Sequence, residues 1–218
     1  MIQDKIRQGW LSQAKHYSEL TRKKEIIPMR HLSISGFPLI EPEDADPEIA
    51  KYYAEVQRET DLPVVPNWAK AVAVSPGCLE IYLEMYRGFH RNISLPQSLV
   101  PTILYCIATA RNCTYCSTTN ELYCRNLGVD EETLEMLAKD LDNVSPERLR
   151  TIIQFALQCA FDASGLTAAD YERVREQGIS DDELAQIIFL AALANFNDTL
   201  ADSFKIEVEP GVLEALGR

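Results

Sequence analysis

The chain has 218 residues, 46% of them hydrophobic and 25% charged, with a formal net charge of −12. That length allows one or two small domains with a substantial core, and the acidity argues against nucleic acid as a main partner. No run approaches the roughly 18 apolar residues of a membrane span, and the opening Met-Ile-Gln-Asp-Lys lacks the apolar core of a secretion signal.

Six cysteines are too few to staple a chain this long, which fits a reducing cytoplasm. The charge is unevenly spread: residues 1–40 carry seven Lys/Arg against three Asp/Glu, the remainder 14 against 30. Apolar positions at Ile2, Ile6, Trp10, Ala14, Tyr17 and Leu20 give residues 1–25 a helical stripe with a basic opposite face. Such a helix can lie on a membrane surface, but packing against the body or a neighbouring subunit is the simpler expectation, without stable membrane insertion. Residues 1–30 are therefore read as an amphipathic arm and 31–218 as a single domain.

Pro28, Pro38, Pro42 and Pro47 mark residues 28–47 as an extended connector. Ile49, Tyr52, Tyr53 and Val56 then define a helix of about twelve residues, broken by Pro63 and Pro66. Asn67 can cap the segment Trp68–Val74, and a strongly periodic helix follows through Leu79, Tyr82, Leu83 and Phe89. Leu95-Pro96 opens the apolar helix that runs to Ala110. Beyond Gly128 the pattern predicts helices over Asp130–Leu141, from Ser145-Pro146 with Ile152, Ile153 and Ala156 inward, over Ala168–Gln177, and from the capping box Ser180–Glu183 through Phe204. Gly128-Val-Asp-Glu-Glu-Thr-Leu134 and Gly178-Ile-Ser-Asp-Asp-Glu-Leu184 repeat one grammar fifty residues apart, from duplication or shared capping rules. No stretch sustains period-two alternation, so the fold class is all-α.

The chemistry concentrates at residues 111–120. Cys113 and Cys116 form a Cys-x-x-Cys pair with no acidic side chain nearer in sequence than Glu121. Such a pair serves dithiol redox chemistry or half of a zinc site. Zinc needs a second pair of ligands, and Cys78, Cys106, Cys124, Cys159, His16, His31 and His90 are scattered singly. The pair reads as redox, calling for no metal and no cofactor. Asn112 is a plausible N-cap, which places both cysteines at a helix start. There the helix dipole and the neighbouring Arg111 would favour a thiolate, lowering the pKa from about 8.5 toward roughly 3.5–7.5. The plainer alternative is that both are small buried hydrophobes.

With these residues in hand, the chain resembles the alkylhydroperoxidase D-like branch of the carboxymuconolactone decarboxylase family, specifically its peroxidase-related members. The likeness covers roughly residues 33–210. It rests on Leu62-Pro-Val-Val-Pro-Asn67, Leu95-Pro96, Asn112-Cys113-Thr-Tyr-Cys116, Gly128-Val-Asp-Glu-Glu, and Ala191-Ala-Leu-Ala-Asn-Phe-Asn197 followed by Leu200-Ala-Asp202. The resemblance implies an antiparallel helical bundle of the alkylhydroperoxidase D-like type, here with an extra N-terminal helix, assembled as a homo-oligomer. It implies a thiol-dependent peroxidase or disulfide reductase acting on a small hydroperoxide or disulfide, in antioxidant defence, and re-reduced by a dithiol reductant protein. Carried over by position, Cys116 is the nucleophile and Cys113 resolves its sulfenic acid.

The family's proton relay is missing. Its histidine, four residues after the second cysteine, is Asn120, and its glutamate, twelve before the first, is Pro101. General acid–base help is worth about 10² to 10⁴ in rate. Turnover is therefore slow or aided by another group, with Asn120, Tyr115 and Arg111 as possible supports. Glu121 points about 100° further round the helix. His90 could fold back to the pair or simply be solvated. Cys106 and Cys124 could join a thiol relay or a four-cysteine metal site. Asn195, Asn197, Asp198 and Asp202 could line a pocket or cap neighbouring helices. Two other functions stay open: a redox-sensitive interaction protein without efficient turnover, favoured by the lost relay, and a lactone decarboxylase, disfavoured because no histidines supply its acid–base chemistry.

Overall fold

The computed structural model describes residues 36–218. Ten α-helices follow one another, α1 Pro47–Thr60, α2 Asn67–Val72, α3 Pro76–Asn92, α4 Leu99–Ala110, α5 Thr114–Asn126, α6 Glu131–Lys139, α7 Glu147–Phe161, α8 Ala168–Glu176, α9 Asp181–Phe204 and α10 Pro210–Ala215, with short 3₁₀ turns between some of them. No β-strand occurs among the described residues, as the absence of alternation predicts. The arm over residues 1–30, its helix and its boundary with the domain lie outside the described residues.

Hydrophobic pattern decides which helices sit inside. α4 is apolar nearly all round and is buried nearly all round, from Val100 through Ile103, Tyr105 and Ile107 to Ala108. It packs against α5, α7 and α9. The last of these buries Leu184, Ile187, Leu190, Ala191 and Ala194, which meet Ile152, Ile153 and Ala156 of α7 in the main core. A second core joins α1, α2 and α3 through Tyr53, Val56, Ala69, Val72, Leu79 and Leu83. Burying each large aliphatic side chain stabilises the fold by about 1.5–3 kcal/mol.

By length and composition α9 could cross a membrane, with a mean hydropathy of 1.3 over its most apolar window. This is a mean over the window: the apolar residues of α9 are interrupted by Asn195, Asn197 and Asp198, so no unbroken run of roughly 18 occurs in it. Its apolarity serves the bundle: it packs against α4, α5 and α7, and it carries a buried aspartate, Asp198.

The punctuation follows the sequence closely. Gly128 and Gly178 take the left-handed conformation (φ +84° and +74°) that only glycine adopts without strain. The next helices open on Asp130, whose side chain accepts the Thr133 N–H, and on Ser180, in a complete capping box with Glu183. Four helix starts shift: α4 begins at Leu99 rather than at Leu95-Pro96, α7 begins at Glu147 with Pro146 as its N-cap rather than its first helical residue, and two others move by one residue. Pro66 rather than Asn67 is the N-cap of α2, and Cys113 rather than Asn112 is the N-cap of α5. The short α10 has no counterpart in the sequence reading.

Candidate active site

The cysteine pair is made by the way α4 ends. Arg111 closes the helix with its N–H on the Ile107 carbonyl (2.9 Å), and Asn112 turns into the left-handed region at φ +59°. Asparagine tolerates that conformation better than other non-glycine residues. The turn reverses the chain, and Cys113, its N–H on the Ala108 carbonyl at 2.9 Å, becomes the residue from which α5 departs. Cys116 follows one turn on. Both thiols face inward: Cys113 is fully buried and Cys116 is 7% exposed.

They lie in a third apolar cluster formed by Ala108, Cys113, Tyr115, Cys116 and Ala201, with Trp68, Ile206 and Val208 packed against it. Into this cluster α9 projects Asp198, which is 1% exposed. Ala194 and Ala201, one turn either side on the same helix, are buried too, and their small side chains leave room for the carboxylate. The Cys113 and Cys116 sulfurs and an Asp198 carboxylate oxygen all lie within 4.8 Å of one another. Arg111 Nε stands 3.4 Å from Asp198 Oδ2, yet this oxygen makes no aligned hydrogen bond. Sequence distance concealed this neighbour: among the described residues, the carboxylate grouped with the two sulfurs comes from 82 positions beyond Cys116, whereas Glu121 pairs with Arg125 and Arg218 instead.

The electrostatics reverse the expectation of a thiolate. The adjacent Cys113 thiol, burial and the Asp198 carboxylate all push the Cys116 pKa well above the ordinary thiol value. A helix N-terminus stabilises an anion by about 0.3–1 kcal/mol, up to about 2. Desolvation can shift a buried group by up to 3–5 pKa units, each worth about 1.4 kcal/mol, so the dipole loses. Burial also raises the Asp198 carboxyl, against the pull of the two cysteines and Arg111. The Cys116 thiol is therefore held in its protonated form, beside the Cys113 sulfur and the Asp198 carboxylate, with the Arg111 guanidinium behind that carboxylate. Two sulfurs and an oxygen are also donors that a thiophilic cation could use, although Arg111 already supplies a positive charge facing this carboxyl.

The other named residues divide. The Tyr115 hydroxyl donates to Glu209 Oε1 (2.9 Å) and accepts the Trp68 N–H (3.4 Å), so it ties α5 to α2 and to the C-terminal segment. Burial and Glu209 push its phenol pKa well up. Asn120 donates Nδ2 to the Cys116 carbonyl oxygen at 2.8 Å, serving the α5 backbone. Pro101 is buried within α4, and His90 belongs to α3. Cys106 and Cys124 lie in the main core, where burial raises both thiols, Cys124 to about 11, with Thr102 Oγ1 at 3.6 Å from Cys124 Sγ. On α9, Asn195 donates to the Ala160 carbonyl at the end of α7, Asn197 accepts from the Tyr82 hydroxyl, and Asp202 is exposed. Only Asp198 reaches the sulfurs.

An aromatic wall flanks them. The Tyr82 ring stacks on Trp68 at 4.4 Å, and the exposed Phe196 lies 5.9 Å further out. Tyr82 is close enough to Cys116 that negative charge there helps hold its phenol protonated, after burial itself.

Neither a protein-family model nor a curated protein matches the sequence. Solved structures do match in three dimensions. One is the alkylhydroperoxidase AhpD core of an uncharacterized peroxidase-related protein of Ralstonia eutropha JMP134, 20% identical, with a TM-score of 0.72 over 81% of this chain and 93% of that one. Another is an uncharacterized peroxidase-related protein of Silicibacter sp. TM1040, 22% identical, with a TM-score of 0.72 over 86% and 97%. A third is the debrominase Bmp8, solved as a cysteine-to-alanine variant in complex with 2,3,4-tribromopyrrole, 14% identical, with a TM-score of 0.70 over 87% and 97%. The chain thus has the all-α alkylhydroperoxidase D-like fold that the sequence resemblance implies.

Proposed function

We propose that the protein is a dithiol oxidoreductase that reduces a small hydroperoxide, with Cys116 as the attacking sulfur and Cys113 as the resolving one. The observation that carries this reading is the pair of adjacent buried sulfurs beside a carboxyl group, within 4.8 Å. Two thiols this close can pass from dithiol to disulfide with little backbone movement. Cys116 takes the attacking role because it alone of the two keeps some exposure. Its sulfur bonds to the distal peroxide oxygen, the O–O bond breaks, and the alcohol leaves. The Cys113 sulfur then bonds to that of the sulfenic acid and water departs, leaving a disulfide that an external dithiol returns to two thiols. The apolar cluster excludes bulk water, which guards the sulfenic acid against further oxidation.

The aromatic wall favours a second reading. Trp68 packs against the cysteine cluster and stacks on Tyr82, with Phe196 beside Tyr82, an aromatic surface suited to a flat aromatic substrate, and one fold neighbour is a debrominase. In that case the sulfur takes an electrophilic bromine, the ring gains a proton, and Cys113 displaces bromide to give the same disulfide. The test is consumption of cumene hydroperoxide and of 2,3,4-tribromopyrrole by the reduced protein with dithiothreitol, beside Cys116→Ser. Turnover of the first that vanishes in the variant supports the peroxidase, and turnover of the second alone the dehalogenase. No turnover of either sinks both and leaves the pair as a redox sensor.

A further inference from the structure

Both chemistries release thiol protons, and the positions that would carry them by resemblance are Asn120 and Pro101. We propose that Asp198 is the catalytic proton carrier of this site, accepting the Cys116 proton as the sulfur attacks and delivering it to the leaving oxygen, with Arg111 as its positioning residue. This rests on the dithiol reading above.

Four observations support it. Asp198 is the carboxylate within 4.8 Å of both sulfurs. It is 1% exposed, so a proton placed on it is held at the site rather than exchanged freely with bulk water. One of its oxygens lacks a hydrogen-bond partner although buried, and buried polar groups ordinarily have one. The guanidinium of Arg111 stands against the same oxygen, offsetting the cost of a buried anion when Asp198 is ionised. The groups that bear on its ionisation are Cys113 and Cys116 of α5, Arg111 of the α4–α5 turn and Asp202 of its own helix, with the Tyr82 phenol of α3 close to Cys116.

The steps balance. In the first, Cys116 bonds to the distal oxygen of the hydroperoxide, its proton passes to Asp198, and the alkoxide leaving group takes that proton and leaves as the alcohol. In the second, the Cys113 proton follows the same path to the hydroxide leaving Cys116, which departs as water. One hydroperoxide and two thiols become an alcohol, water and one disulfide, and Asp198 ends as it began.

The role has two readouts of opposite sign. Asp198→Asn removes the proton acceptor, so hydroperoxide turnover falls about 10²- to 10⁴-fold. It also removes the negative charge that opposes a Cys116 thiolate, so alkylation of Cys116 by iodoacetamide, read in a Cys113→Ser background, moves to lower pH. A merely structural aspartate would not separate the two. Asp198→Glu, which keeps a carboxyl, should recover part of the turnover, and Arg111→Gln should lose less than Asp198→Asn. Turnover of Asp198→Asn within about threefold of the parent, or a loss with no change in the alkylation profile, overturns the proposal. If the parent itself turns over no hydroperoxide, the peroxidase reading fails, while the alkylation shift still decides whether Asp198 governs the thiol proton.

Discussion

Two carboxylates border the cysteine cluster, and they do opposite work. Asp198 enters from α9 and faces two thiols and a guanidinium. Glu209 enters from the C-terminal segment and accepts the Asn67 N–H at 2.6 Å and the Tyr115 hydroxyl at 2.9 Å. Each keeps one buried oxygen without a hydrogen-bond partner. Glu209 caps the start of α2, whose N-cap Pro66 has no side chain to do so, and its neighbours Ile206 and Val208 close over the cluster. Its partners are donors with nothing to lose, so it joins segments. Asp198 is surrounded by groups that can give up protons, so it can exchange them. Asp198 is also the more deeply buried of the two, Glu209 being half-buried, but what each carboxylate faces is what separates their roles.

Breaking the structural carboxylate should give the largest stability effect. Glu209→Ala leaves the Asn67 N–H and the Tyr115 hydroxyl without their acceptor, and each buried group so stranded costs about 1–3 kcal/mol. Urea unfolding should show a lower midpoint at unchanged slope, and an unchanged midpoint would contradict the clamp.

A smaller effect, opposite in sense, is expected at Asp198. Its pKa is raised in the folded protein, so folding favours the protonated form. Its contribution to stability is fully present below the ordinary carboxylate range and is lost as pH rises through the folded value. Thermal melts of the parent should therefore decline from acid toward neutral pH by an amount that Asp198→Asn removes. A parallel pair of pH–Tm curves would show the carboxyl to be unperturbed.

The smallest change sharpens the contrast. Glu209→Gln keeps an acceptor oxygen for Asn67 and Tyr115, so stability should fall by only about 0.5–1.5 kcal/mol, the net worth of a single hydrogen bond. Turnover should stay close to that of the parent. A loss of turnover comparable to that of Asp198→Asn would erase the distinction between the two carboxylates.

Local rules made much of the fold legible. The all-α class, the course of α1 to α9, the glycine turns at Gly128 and Gly178 and the capping box at Ser180 all follow from periodicity and backbone preference, which act over a few residues. The Cys-x-x-Cys pair was visible for the same reason, since three residues fix its spacing. Asp198 was visible only as one of four polar residues on an apolar helix, with nothing to separate it from Asn195, Asn197 and Asp202. Its meaning depends on α9 lying against the α4–α5 turn, a contact set by the packing of three cores rather than by any local signal. The same packing overturned the expected thiolate: a helix start favours charge, but a buried helix start beside a carboxylate does not. The sequence by itself determined where the sulfurs sit along the chain. Only the tertiary structure decided what faces them, because electrostatic and proton-transfer partners are chosen by distance in space, and 82 residues of chain separate Cys116 from Asp198.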